Sequence, residues 1–71
     1  PRYGLYATQD GWFLAVGALE PKFWDTFSEA IGLAPALRDD RADPEATRAG
    51  IAAIIAGRPA AHWRETLEPR D

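Results

Sequence analysis

The sequence predicts an α+β fold: an N-terminal β-hairpin packed against about three helices. Three observations predict it. Two short aromatic and apolar runs, from Tyr3 and from Trp12, flank the dipeptide Asp10-Gly11, a strong hairpin signal. Downstream, proline and glycine stand where helices start and stop. Between them, apolar residues recur at helical spacing. With 71 residues there is room for one small domain, 1–71, and no more.

The first strand is expected over Tyr3 to Thr8 and the return strand over Trp12 to Ala18. A type I′ turn at Asp10-Gly11 would join them, because that turn needs positive φ at both central residues, which Asp-Gly favours. The return strand is apolar on both faces, with Trp12, Leu14 and Val16 against Phe13 and Ala15. A lone hairpin cannot bury both, so helices should cover one face and a further domain the other. Pro21 suits the first helical position and holds Glu20 extended. Phe23, Phe27 and Ile31, with Trp24 and Ala30 beside them, form the expected inner stripe, and Gly32 the left-handed stop. Leu33 to Ala42 reads as a connector. Asp43 and Pro44 then give an N-cap and first residue for a helix running to Ala56, with Thr47, Ile51, Ile54 and Ile55 inward. After the corner at Arg58-Pro59, Ala60 to Leu67 forms the last helix, with Trp63 and Leu67 inward.

Composition narrows the function. Net charge is −3, and the eight basic residues are scattered, so no stripe exists to follow a phosphate backbone and nucleic-acid binding is disfavoured. The longest apolar run, Trp12 to Leu19, is too short to span a bilayer, and no signal peptide is visible, so a cytoplasmic address is expected. Without Cys and with one His, neither a disulfide nor a His-rich zinc site is expected. The chain has no Met and opens on Pro1, which reads as a piece excised from a longer polypeptide. Its 46% hydrophobic content can exceed what so small a body hides, leaving an apolar face for a partner.

Glu20 is the leading candidate for chemistry. It stands where a strand gives way to a helix, near free N–H groups and the positive end of the helix dipole. A carboxylate so placed can orient and polarise a His, act as a base, or simply favour the helix start. His62, with Glu65 and Thr66 one turn on, lacks the further ligands a metal needs. Asp39, Asp40, Asp43 and Glu45 lack the EF-hand spacing and read as a solvated connector with a cap. Ser28 has no neighbouring base or glycine elbow, and Gly4, Gly11 and Gly17 do not form a phosphate loop.

The segment P-R-Y-x-x-Y-x-T-x-D-G-W-F-L-A-V-G-A-L-E-P-K-F-W, followed by I-G-L and A-G-R-x-x-x-x-W, resembles the CaiB/BaiF, or type III CoA-transferase, family, closest to its α-methylacyl-CoA racemase branch. The resemblance implies the small domain of a two-domain, homodimeric enzyme whose large domain binds CoA. It implies an acyl-CoA thioester as substrate of the full-length enzyme and no cofactor bound by this piece alone. In the racemase branch a His–Glu pair and an Asp move the α-proton; the Glu matches Glu20, while His and Asp belong to the large domain. Tyr3 and Leu19 would line the acyl pocket. Where this chain has A-L-E-P, transferases usually show an Asn-Asp-type segment, which favours racemase chemistry over acyl transfer. Arg2 stands in place of an aromatic and Pro59 in place of a common Thr cap. The isolated piece is expected to be inactive. The competing reading is a self-sufficient, non-catalytic interaction module, which requires a closed core with both hairpin faces covered from within.

Overall fold

The computed structural model describes residues 3–17 and 20–67. The order is β1 (Tyr3–Ala7), β2 (Phe13–Gly17), α1 (Pro21–Ile31), a short 3-10 turn (Pro35–Leu37), α2 (Pro44–Ala56) and α3 (Ala60–Leu67). This is the expected α+β arrangement of a hairpin followed by three helices.

The strands pair antiparallel, with Tyr3 opposite Gly17, Gly4 opposite Val16, Leu5 opposite Ala15, Tyr6 opposite Leu14 and Ala7 opposite Phe13. That register sorts the side chains by face. Tyr6 and Val16 are buried and Leu14 is half-buried on the inner face. Tyr3, Leu5, Ala7, Phe13 and Ala15 are exposed on the outer one. Trp12, expected to open the return strand on the same face as Leu14 and Val16, lies just outside the ladder and is 68% exposed.

The turn is not type I′. Gly11 alone among its residues has positive φ, at 85°. Its N–H donates to Thr8 O at 3.2 Å, and Thr8 N–H donates to Trp12 O at 2.7 Å. The loop is therefore the longer type, Gln9-Asp10-Gly11 with a left-handed glycine last, which keeps Asp10 at negative φ.

Helix α1 starts at Pro21, with Glu20 as N-cap at φ −82° and ψ 143°, the extended conformation a following proline imposes. It ends at Gly32, φ 76°, where Leu33 N–H reaches back to Ser28 O at 2.9 Å. Its inner face is Trp24, Phe27, Ser28 and Ile31. Phe23, expected on that face, is 51% exposed. The 3.6-residue period decides this: burying 24, 27, 28 and 31 turns position 23 outward.

The connector is more ordered than expected. Leu33 is a core residue. The Trp24 indole N–H donates to Arg38 O at 2.8 Å, and Arg38 Nε donates to Leu33 O at 2.9 Å. Asp43 caps α2, its Oδ1 accepting from Ala46 N–H at 3.1 Å. Thr47, Ile51 and Ile55 are the buried residues of α2, and Ile54 is half-buried beside them. Helix α2 packs on β1 while α3 packs on β2 and α1. The shared core is Tyr6, Val16, Trp24, Phe27, Ile31, Leu33, Ile51, Ile55 and Trp63.

Candidate functional site

The site is built where β2 runs out towards α1. Gly17 closes the ladder opposite Tyr3, and three positions later Glu20 opens the helix. The Glu20 side chain is exposed and makes no capping bond to its own helix. Its backbone is fixed instead, since Glu20 O accepts from Trp24 N–H at 2.9 Å and Trp24 is deep in the core. A carboxylate with an anchored main chain and an uncommitted head is free to meet a group from outside the chain.

Tyr3 lies at the same end of the hairpin, 72% exposed on the outer face. A shallow depression there is lined by Tyr3, Gly4, Leu5, Ala15, Val16 and Gly17. Leu19, the other expected pocket residue, lies outside the described residues. Phe23, one turn into α1, adds an exposed aromatic close to Glu20 in the chain. Sequence reading missed it as a surface residue because the i, i+4 run with Phe27 and Ile31 gave it to the core. The exposed outer-face side chains Tyr3, Leu5, Phe13 and Ala15, with the depression, give this face of the hairpin an open apolar surface.

The profile of CoA-transferase family III matches residues 1–71. The chain belongs to CoA-transferase family III. Human alpha-methylacyl-CoA racemase is 48% identical over 33 residues, covering 46% of this chain and 9% of the racemase. The aligned stretch is thus a small part of that relative's length.

The other candidates in this family III chain fall into structural roles. His62 is half-buried and sits edge-on against the Trp63 ring, with centroids 4.7 Å apart, and its Nε2 lies 3.5 Å from Thr66 Oγ1. Among the described residues no group of three or more His, Cys, Asp or Glu side chains is placed to hold a metal ion. In the acidic connector, Asp39 Oδ1 accepts from Arg41 N–H at 3.2 Å and Asp43 caps α2. Among the described residues no helix is long and apolar enough to cross a membrane.

Asp10, read from sequence only as a turn residue, has a second occupation. Its Oδ1 accepts the Thr8 hydroxyl at 2.6 Å and the backbone N–H of Ala60 at 3.1 Å. These two bonds, with a smaller contribution from Arg64, hold its pKa below the ordinary carboxylate value. The available sequence signal was Pro59: it offers no side-chain acceptor at the start of α3, so the helix needs a cap from elsewhere.

Proposed function

We propose that this chain is the small domain of a larger family III enzyme that moves the α-proton of an acyl-CoA thioester, as a racemase does. The observation that carries the reading is the uncovered apolar outer face of the hairpin, whose second strand ends three residues before Glu20. A closed interaction module would have covered that face from within, whereas the small domain of a two-domain enzyme leaves it for the large domain and the acyl group. The short match to the human racemase supports the choice of reaction.

In this reading the large domain supplies the CoA site, a His and an Asp, and the assembled enzyme is a homodimer. Glu20 accepts the N–H of the His, fixes its tautomer and raises its basicity. The His takes the α-proton to give the thioester enolate, and the Asp returns a proton to the opposite face, inverting the centre. Tyr3 and Leu19 border the acyl chain. Alone, the 71-residue piece lacks two of the three proton-handling groups and has no turnover.

The test is exchange of the α-proton of a 2-methylacyl-CoA in deuterium oxide, followed with the full-length enzyme. Glu20→Gln is expected to slow exchange by about 10²–10⁴-fold, in the range for general acid–base and positioning groups. Unchanged exchange removes Glu20 from the chemistry. Acyl transfer from CoA to a free acid, with no α-exchange, moves the assignment to the transferase branch that the family name describes.

A further inference from the structure

Helix α3 begins without a cap of its own. The residue before Ala60 is Pro59, whose side chain accepts nothing, and His62 N–H donates to Pro59 O at 3.1 Å. The N–H of Ala60 is taken by Asp10, 50 positions earlier in the chain. One residue before Asp10, Gln9 N–H donates to Arg58 O at 2.9 Å. The hairpin loop and the α2–α3 corner are therefore joined by two hydrogen bonds, one of them to a carboxylate.

Asp10 is itself held for the task. Thr8, nearly fully buried, donates its hydroxyl to Asp10 Oδ1 at 2.6 Å and accepts Trp12 N–H at 3.2 Å. Gly11 at positive φ turns the chain immediately after. The charged side chain whose field reaches Asp10 from α3 is Arg64, which favours the anion. Arg58 and His62 flank the helix start on either side of Ala60. The loop's own neighbours, Thr8, Gln9 and Gly11, carry no charge.

We propose that Asp10 is the N-terminal cap of α3, delivered across the molecule, and that its negative charge makes the seating of that helix on the hairpin sensitive to acid. A short, charge-assisted bond from Thr8 and the positive end of α3 both favour the carboxylate over the carboxylic acid. A group whose acidity is strengthened by folding stabilises the fold above its unfolded pKa and loses that contribution as the pH falls through its folded value. The joint is therefore tight at neutral pH and slackens below the ordinary carboxylate range. This inference is independent of the proposed reaction.

Hydrogen–deuterium exchange of the full polypeptide, read by mass spectrometry on peptides covering α3 and α2, tests it with two substitutions. Asp10→Ala removes the acceptor, and Asp10→Asn keeps an acceptor without the charge. At neutral pH the α3 peptide should exchange about 3- to 10-fold faster in Asp10→Ala than in wild type, the usual scale for a lost cap, with Asp10→Asn between them. As the pH falls below the ordinary carboxylate range, wild type should converge on Asp10→Asn measured at the same pH, while the α2 peptide keeps its protection. If Asp10→Ala does not fold, the comparison of wild type with Asp10→Asn at neutral and at low pH decides alone. Equal α3 exchange in wild type and Asp10→Asn at neutral pH overturns the role of the charge. Equal exchange in wild type and Asp10→Ala overturns the cap. Loss of protection in α2 and α3 together overturns a local joint.

Discussion

Ser28 is fully buried on the inner face of α1, and among the described residues its hydroxyl oxygen has no hydrogen-bond partner. A buried polar group left unsatisfied costs about 1–3 kcal/mol. Ser28→Ala removes that group, keeps nearly the same volume and improves helix propensity. It should raise stability by about 1 kcal/mol, read as a higher denaturation midpoint at unchanged slope. Thr47 presents the opposite case. Its hydroxyl donates to Leu37 O at 2.6 Å, and the residue is buried. Thr47→Val preserves the shape but orphans the Leu37 carbonyl, and should cost about 1–3 kcal/mol in the same measurement. The two substitutions differ in sign though each deletes one hydroxyl, because only one of those hydroxyls is paired.

At the scale of elements, helix ends were legible in the sequence because their signals are local. Pro21, Gly32 and the Asp43-Pro44 pair each act within one turn, and α1 and α2 have the limits they dictate. What depends on tertiary packing was harder to read. Phe23 and Trp24 are equally apolar, and only the seating of Trp24 under the connector, through its bond to Arg38 O, shows which of them faces in. The turn type was misread because Asp-Gly fits both the two-residue loop and the end of the three-residue one. Of the candidate site, Glu20 was placed at the strand–helix junction by Pro21, a neighbour in sequence. The cap supplied by Asp10 was invisible, since no local pattern links residues 50 apart. Packing also bears on Gly50 in the middle of α2: a Cβ there would lie 2.7 Å from Leu37 Cδ1, so a larger residue requires the Leu37 side chain to shift. The core that results tolerates little loss. Ile51→Ala, at a fully buried position, should cost about 2–5 kcal/mol and leave so small a domain largely unfolded, as seen by loss of helical circular dichroism.

The whole molecule is one-sided. Helices cover the inner face of the hairpin, while Leu5 and Phe13, each about two-thirds exposed, remain on the other. A two-stranded sheet with an apolar face and open edges attracts other chains. The 71-residue chain by itself should self-associate with rising concentration, and Leu5→Lys with Phe13→Lys should suppress this in light scattering. The midpoint of thermal unfolding should move little, because neither side chain belongs to the core. The joint between the hairpin loop and α3 has a different consequence, one of timing. During synthesis the hairpin leaves the ribosome first, yet two of its loop contacts wait for residues about 50 positions behind. Closing a segment of that length early is entropically costly. The loop end of the nascent hairpin therefore stays unfastened until translation has passed Ala60, even where β1 has already met α2.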